Sequence, residues 1–327
     1  MRICLVGEFF GYPDEGMRNI AYYLRKELSK RHKILAVNVR DMLQLRFWSE
    51  IRSFRPQIIH YIPGPSLRSF VIMRALSLSC KGSRTVMSAT HPILSSLSKV
   101  FASFLRPDLV LTQCAEDEAA FARMGWGTTH LPSGVDTKKF APLSPEVKAT
   151  LREKYGLTKA GFIILHVGSI KAKRNLDIFK TIQDDDNQVL IIGSTSTGSE
   201  RKICKELRKR GCIVWTQYFA NIEEIYGLAD CYVFPSTDKT ASIRLPLSVL
   251  EAMACNLPVI STRFGALPRV FEEGDGLVFV DWGDEFIDKI QAIKQGKVNV
   301  RTREKVLPYS WQEVTRRLEE IYNEVIS

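Results

Sequence analysis

The sequence has no long apolar run. No stretch of its 327 residues reaches the ~18 consecutive apolar residues that a membrane-spanning helix needs. The apolar start, Ile3–Val6, is too short for the hydrophobic part of a signal peptide and runs directly into Gly7 and Glu8. We therefore interpret it as a buried first strand and predict a cytoplasmic protein.

Metal-ligand and disulfide spacings are also missing. None of the seven cysteines forms a C-x-x-C pair, and their number is odd. Several lie in apolar runs, such as Cys231 within Ala229–Phe234, so buried reduced thiols are a better interpretation than disulfides or a zinc site. The five histidines are scattered. We predict no metal and no cofactor.

The dinucleotide-binding fingerprint is absent as well. The first loop, Gly7–Gly16, is rich in glycine and leads into a helix at Met17, but its spacing is not G-x-G-x-x-G. A glycine that opens a helix can bring backbone N–H groups close to an anion. A turn between strand and helix also needs no ligand, and the sequence leaves both interpretations open.

The charge is uneven along the chain. The formal net charge is +10, and residues 1–135 contribute 18 Lys and Arg against 10 Asp and Glu, a net +8. The excess suggests an anionic partner, such as a membrane surface, an acidic acceptor or nucleic acid, or simply a basic soluble protein. Because no RRM, KH or zinc signature is present, we predict no nucleic-acid partner.

Short apolar runs alternate with helical patterns through most of the chain. The predicted strands are 3–6, 34–39, 57–61, 85–87, 109–111, 129–131, 162–166, 189–192, 213–215, 231–234, 259–261 and 277–280. The predicted helices are 17–30, 42–54, 66–79, 93–105, 116–124, 175–182, 200–210, 222–228, 246–255, 285–293 and a C-terminal helix after Ser310. A proline-rich linker, Leu131–Pro145, divides the pattern.

This alternation predicts an α/β protein with two Rossmann-like, doubly wound parallel sheets that face each other across a cleft. Ligands of such sheets bind beyond the carboxyl ends of the strands. Candidate site residues should therefore lie in the loops that follow strands.

One such loop carries a cluster of cations. In His166-Val-Gly-Ser-Ile-Lys-Ala-Lys-Arg-Asn175 a strand ends at Gly168, and three cations then precede a predicted helix. Cations at a helix N-terminus oppose the helix dipole, so they are explained if a polyanion binds there. The alternative is that they are solvated surface side chains.

The most specific pattern follows the strand at Cys231–Phe234. A loop leads to a helix that begins Pro246-Leu-Ser, and the free amides of Leu247 and Ser248 would point at a phosphate. Glu251 lies one turn further on, where a carboxylate suits a ribose diol better than a phosphate. Its apolar neighbours predict a largely buried helix, so Glu251 should have a partner.

These segments resemble the family 4 retaining glycosyltransferases, which have the GT-B fold. The resemblance rests on Ala229–Ser236, on Leu250-Glu-Ala-Met-Ala-Cys-Asn-Leu-Pro-Val-Ile-Ser261, on Leu131-Pro-Ser-Gly-Val-Asp136 and on the last helix. It implies an N-terminal acceptor-side domain, 1–135, joined by the crossover helix 310–327. It also implies a nucleotide-sugar donor domain, 136–309.

The resemblance also implies roles for individual residues. Lys173, with Gly168 and Ser169 in the same segment, would neutralise the donor diphosphate, and the amides of Leu247 and Ser248 would cap it. Glu251 would bind the ribose hydroxyls. Gly16 would let the backbone approach phosphate and sugar, and His91 would contact the transferred sugar; a helix-start histidine before a proline is the plainer interpretation. The implied reaction is metal-free, retaining transfer from a nucleoside-diphosphate sugar.

The chain departs from the family pattern in several places. Position 243 holds Ile where the family has the first Glu of an E-x7-E pair, and Ser169 stands where an Arg is usual. Lys171, Arg174 or Arg244 are candidates to replace that Arg. These departures favour a second hypothesis, a GT-B scaffold that binds nucleotide or glycan without transfer.

The sequence gives less information about the acceptor. Residues 46–55 and 99–106 are basic, aromatic and helical in pattern. We hypothesise peripheral contact with anionic membranes, on the inner face of the cell membrane, and a glycan, lipid-linked or cell-envelope acceptor. Ordinary helices packed on a sheet would give the same pattern.

Overall fold

The computed structural model describes residues 1–91, 104–158, 161–281 and 283–327. Within these ranges the chain forms two compact units. The first unit contains Met1–Gly134, Ser242–Leu245 and Trp311–Ser327, and the second contains Val135–Ala241 and Pro246–Ser310. The final helix therefore returns to the unit in which the chain began.

The first unit is built on a six-stranded parallel sheet with the order β2-β1-β3-β4-β5-β6. Its strands are β1 (Arg2–Gly7), β2 (Lys33–Asn38), β3 (Ile58–Gly64), β4 (Arg84–Ala89), β5 (Leu109–Thr112) and β6 (Thr128–His130). Strand β1, which lies between β2 and β3, is fully buried from Ile3 to Val6. This burial on both faces explains its continuous apolar run.

Helices cover the sheet of the first unit: α1 (Gly16–Leu28), α2 (Leu45–Phe54), α3 (Leu67–Ser79), α4 (Ala115–Arg123) and α13 (Trp311–Ile326). Side chains of α2, α3 and α4 share one core cluster with the sheet. The last helix packs on α1, where the rings of Trp311 and Tyr23 stack 5.4 Å apart. The hydroxyl of Tyr322, also on α13, lies 2.6 Å from His60 Nδ1 on β3.

The second unit has a parallel sheet with the order β12-β11-β10-β7-β8-β9. Its strands are β7 (Phe162–Gly168), β8 (Asn187–Gly193), β9 (Ile213–Trp215), β10 (Cys231–Phe234), β11 (Val259–Thr262) and β12 (Leu277–Val280). Because β7 leads to β8 on one side while β10 leads to β11 on the other, the strand order reverses between β7 and β10. Such a reversal marks the crevice in which doubly wound sheets bind ligands.

The helices of the second unit are α5 (Pro145–Lys154), α6 (Ile178–Ile182), α7 (Arg201–Lys209), α8 (Ile222–Leu228), α9 (Leu247–Ala254), α10 (Leu267–Val270), α11 (Glu285–Lys294) and α12 (Thr302–Val306). Among the described helices of both units, none is long and apolar enough to cross a bilayer. All seven cysteines are buried and unpaired, as predicted.

All twelve predicted strands are present, but several helices differ from prediction. The helix expected at 42–54 is a 3-10 turn, Val39–Leu43, followed by α2, because Gln44 between them is extended. The helix expected at 175–182 begins only at Ile178, because Asn175 adopts a left-handed conformation (φ 55°). The helix expected at 93–105 lies outside the described residues, apart from its last two.

Helix α5 was not predicted. It follows the linker directly, with Ser144 accepting a hydrogen bond from the Val147 amide and Pro145 in the first turn. Proline suits that position because its missing N–H would have no partner inside the helix. The prolines that marked a linker thus also mark the start of a helix.

Candidate functional site

Little room is left for a side chain at Gly168, the last residue of β7. A Cβ atom at Gly168 would lie 3.3 Å from Arg174 Nη1 and 3.5 Å from His166 Nε2. Both side chains therefore converge on the backbone at the end of this strand. The neighbouring strand β8 also ends in glycine, Gly193, directly opposite Gly168 in the register.

Arg174 is the central cation of this cluster. Only 9% of it is exposed, its Nε donates a hydrogen bond to Ser169 Oγ (3.2 Å), and its guanidinium lies over the ring of Phe234. Throughout the described part of the chain, no carboxylate forms an ion pair with it. Burial lowers the pKa of Arg174. An unpaired buried charge is costly, so the arrangement fits an anionic ligand.

His166 provides a second unsatisfied group. Its Nδ1 lies 2.9 Å from the carbonyl oxygen of Val233, which can only accept, so we assign the proton to Nδ1. Its Nε2 is then a buried acceptor, and no hydrogen-bond partner for it exists among the described residues. Burial lowers the pKa of His166 to about 3, so the ring stays neutral. A hydroxyl group would satisfy Nε2.

Lys173 and Lys171 have different surroundings from Arg174. Both lysines are exposed, and Lys173 Nζ donates to Thr240 Oγ1 (2.9 Å) and lies 3.9 Å from Asp238 Oδ2. It therefore holds the turn before α6 against the loop that follows β10. Lys173 therefore lies at the exposed edge of the cation cluster, whereas Arg174 is buried inside it.

Helix α9 presents a free N-terminus. Pro246 is its cap residue, and within the described structure the amides of Leu247 and Ser248 have no acceptor. Tyr232 on β10 connects this helix to β7, because its hydroxyl donates to the carbonyl oxygen of Val167 (3.3 Å) and hydrogen-bonds with the side chain of Ser248. Free amides at a helix start bind anions.

Glu251 lies one turn into α9 and is partly buried. Burial raises its pKa to about 7, and the hydroxyl of Tyr226, which donates to Oε2 (2.7 Å), partly offsets this shift. Tyr226 is held by an edge contact with Phe140 and by stacking on Tyr232. In the described structure Oε1 has no donor, so Glu251 can accept a hydrogen bond from a ligand hydroxyl.

The remaining candidates, Gly16 and His91, belong to the first unit. Gly16 begins α1, and the carboxylate of Glu15 already accepts from the amides of Met17 and Arg18 (3.1 Å each). A Cβ at Gly16 would lie 3.1 Å from Ile243 Cδ1. His91 follows β4, is half-buried and donates its backbone N–H to the carbonyl oxygen of Gly64.

Ile243 is fixed in the first unit by its neighbours. The guanidinium of Arg244 binds Asp117 through two hydrogen bonds, of 2.8 and 2.6 Å, and its backbone N–H donates to the carbonyl oxygen of Thr90. The amide of Leu245 donates to Gln113 Oε1 (3.2 Å). Arg244, one of the candidates to replace the missing Arg, is therefore already neutralised.

Sequence reasoning missed His166, Tyr226 and Tyr232. Each lies in a strand or helix whose apolar neighbours made it look like part of the core, and each is indeed buried. One signal was present: Tyr232 and Phe234 alternate with Cys231 and Val233, whose side chains join the core cluster on the opposite face of the sheet. No group of three or more potential metal ligands occurs in the residues that the structure describes.

A buried cation with no carboxylate partner among the described residues, a free helix N-terminus and an available carboxylate lie near the reversal point of a doubly wound α/β sheet. This arrangement suits a phosphorylated, hydroxyl-rich ligand. Residues 161–295 match the model of the family Glycosyl transferases group 1. The resemblance seen in the sequence is thus confirmed for this part of the chain, which is similar to the group 1 glycosyltransferases.

Curated relatives agree with this assignment. The chain is 28% identical over 174 residues to a GDP-mannose-dependent monoacylated alpha-(1-6)-phosphatidylinositol monomannoside mannosyltransferase of Corynebacterium glutamicum, which covers 50% of this chain and 45% of that protein. It is 26% identical to the sulfoquinovosyl transferase SQD2 of Arabidopsis thaliana, over 95% of this chain and 63% of that protein. The chain thus spans about half to two thirds of these relatives' length.

Solved structures share the fold. Anabaena Alr3699/HepE in complex with UDP and glucose superposes with a TM-score of 0.77 at 15% identity, covering 99% of this chain and 100% of that one. Sucrose-phosphate synthase of Thermosynechococcus elongatus gives the same TM-score at 16% identity, with 99% and 98% covered. The predicted GT-B fold class, with two Rossmann-like parallel sheets, is confirmed.

Proposed function

We propose that the protein transfers a sugar from a nucleoside-diphosphate sugar to a hydroxyl group of an acceptor. The observation that carries this proposal is Arg174, a buried cation without a carboxylate partner in the described structure, close to Gly168 at the end of β7. A diphosphate supplies the missing negative charge. The free amides of Leu247 and Ser248 supply two further donors for it.

The proposed chemistry is stabilisation of the leaving group. The bond between the anomeric carbon and the diphosphate oxygen breaks, and negative charge develops on the diphosphate near Arg174, Lys173 and the start of α9. The acceptor hydroxyl forms the new bond on the same face of the sugar, and its proton passes to the departing diphosphate oxygen. This step retains the anomeric configuration and uses no metal or further cofactor.

We assign the ribose to Glu251. Its free Oε1 accepts hydrogen bonds from hydroxyls but would repel phosphate oxygens, while Tyr226 holds Oε2 in place. In this assignment Gly168 and Ser169 line the approach to the diphosphate. Gly16 and His91 keep their predicted roles beside phosphate and transferred sugar.

For the acceptor we propose a lipid-linked or cell-envelope glycan, reached from the cytoplasm by peripheral contact with an anionic membrane. The names of several relatives motivate this choice: two are phosphatidylinositol monomannoside mannosyltransferases, and one is an alpha-galactosylglucosyldiacylglycerol synthase. The net charge of +8 in residues 1–135 is compatible with such a surface.

The test is a donor screen by isothermal titration with UDP-, GDP-, ADP- and CMP-sugars, followed by an assay for slow donor hydrolysis. We expect one nucleotide to bind with micromolar affinity and Arg174→Gln to weaken it about 100-fold. Matched controls are Arg208→Gln and Arg210→Gln, on α7 and its C-cap. If none of the four nucleotides binds, the proposal fails.

A specific observation favours the second candidate, a binding scaffold without transfer. Ile243 stands where the family has a Glu, is 4% exposed and contacts Gly16 rather than open space. Nucleotide-sugar binding with neither hydrolysis nor transfer to any glycan or lipid would support the scaffold. Hydrolysis of the bound donor would exclude it.

A further inference from the structure

Helix α3 carries apolar residues on its exposed side as well as on its buried side. Phe70, Met73 and Leu76 face inward and belong to the core cluster of the first unit. The opposite side carries Leu67, Val71 and Leu78, which are 52%, 51% and 59% exposed. A soluble surface helix normally has a polar outer face, so this one has an uncovered side.

Two further leucines lie at the start of the neighbouring helix. Leu43 and Leu45 flank the beginning of α2 and are 89% and 86% exposed. The 3-10 turn before α2 contacts the start of α3, where Arg68 Nη2 lies 3.9 Å from Met42 Sδ. We define the apolar face as Leu43, Leu45, Leu67, Val71 and Leu78. Contiguous exposed apolar groups mark interaction sites.

The sequence around α3 is rich in cations. From residue 51 to residue 107 the sequence has no Asp or Glu, while the same stretch contains the cations Arg52, Arg55, Arg68, Arg74, Lys81, Arg84, Lys99 and Arg106. On α3 itself, Arg68 and Arg74 lie on the solvent side, beside the apolar residues. Among the described residues, neither of them pairs with a carboxylate.

We propose that the apolar face is a docking surface for an anionic lipid bilayer. Its aliphatic side chains would enter the region between headgroups and acyl chains, and Arg68 and Arg74 would contact lipid phosphates. Charge complementarity favours this occupant, because acidic headgroups offset cations that the protein leaves unpaired. This inference rests on the proposed function, because docking would bring the first unit to a lipid-linked acceptor.

The first test removes the apolar contacts. The full chain is sedimented with sucrose-loaded vesicles of phosphatidylcholine and phosphatidylglycerol (about 7:3) and with vesicles of phosphatidylcholine alone. We expect binding to the anionic vesicles only. The triple variant Leu67→Gln/Val71→Gln/Leu78→Gln should bind at least tenfold more weakly, while the matched control Val147→Gln/Leu307→Gln, at exposed apolar residues of the second unit, should bind as the wild type does.

The second test removes the charges. Each basic side chain near an anionic surface contributes about a fivefold gain in binding. Arg68→Gln/Arg74→Gln should therefore weaken vesicle binding about 25-fold and reduce its dependence on salt. The control Lys202→Gln/Lys209→Gln removes two exposed lysines from α7 in the second unit and should have little effect. Thermal unfolding of every variant confirms that it is folded.

Three outcomes would overturn the inference: no wild-type binding to anionic vesicles at low salt, equal binding by the triple variant, or a dimer in sedimentation equilibrium that the triple variant dissociates. The last result would assign the face to self-association. Titration with UDP- and GDP-sugars in solution, without vesicles, tests the proposed function separately. Vesicle binding that depends on the face without any nucleotide binding would reject the proposed function alone.

Discussion

Arg244 in the first unit and Arg174 in the second are both buried, and these two arginines have opposite surroundings. In the first unit Arg244, 3% exposed, is neutralised by Asp117 through two hydrogen bonds. In the second unit Arg174, 9% exposed, contacts a hydroxyl and an aromatic ring but no described carboxylate. Burial alone therefore does not distinguish a structural cation from a ligand-binding one. The two differ in whether a carboxylate of the protein neutralises the cation.

The comparison also explains why the family's first Glu can be absent. Ile243 belongs to the four-residue segment that Arg244 and Leu245 fix in the first unit. A carboxylate at position 243 would lie next to Gly16 in a buried, apolar position. In the first unit this segment makes an anchored contact, and the uncompensated Arg174 lies in the second unit.

The largest expected effect is on the paired arginine. Asp117→Ala removes both hydrogen bonds from the buried Arg244 and leaves only the exposed carboxylate of Glu116, 3.7 Å away, so the free energy of unfolding should fall by about 3–5 kcal/mol. Chemical denaturation measures this change. Glu116→Ala is the matched control, because Glu116 is 59% exposed and 3.7 Å from Arg244, and should change stability by less than ~1 kcal/mol. An equal loss of stability in both variants would show that the buried Asp117–Arg244 pair stabilises the fold no more than the exposed Glu116 does.

The second effect concerns Glu251, the other uncompensated group of the second unit. Its folded pKa of about 7 lies above its ordinary value of 4.5, so the folded protein holds this proton more tightly than the unfolded chain does. The resulting contribution of Glu251 to the free energy of unfolding is fully present below pH 4.5. It is lost as the pH rises to about 7, and the loss is at most about 3 kcal/mol. In Glu251→Gln the stability should no longer fall between pH 4.5 and 7, whereas in the control Glu206→Gln, on α7, it should fall as in the wild type. Identical pH profiles for wild type and Glu251→Gln would reject the assignment.

The third effect separates the two arginines by function. Arg174→Gln should weaken binding of the nucleoside-diphosphate sugar about 100-fold, as expected for loss of about 2–3 kcal/mol from charge-assisted hydrogen bonds. Its stability without ligand should be unchanged or higher, because an uncompensated charge is removed. Calorimetric titration and thermal unfolding measure the two quantities. A destabilised variant with normal affinity would make Arg174 a structural residue like Arg244.

The sequence predicted the framework well because strands in parallel sheets are marked by short apolar runs. All twelve were found, and with them the loops that follow Gly168 and Phe234. Side-chain direction was harder to predict. Residues 171, 173 and 174 are all cationic, and only the 3-10 turn Ala172–Arg174 turns the last of them inward. The contact of Ser242–Leu245 with the first unit depends on Asp117, more than a hundred residues away, which no local pattern reveals.

The smallest expected effect tests whether the exposed Lys173 contributes to donor binding as the buried Arg174 does. Lys173→Gln removes a charge that is 63% exposed and held by Thr240 and Asp238, so unfolding should change by less than ~0.5 kcal/mol. Because water and salt screen this charge, donor affinity should fall only about fivefold, and less at high salt. Lys171→Gln, an exposed neighbour, is the control. If Lys173→Gln lowered the affinity as much as Arg174→Gln does, burial would not be what makes the cation effective, and the contrast between the two arginines would lose its functional meaning.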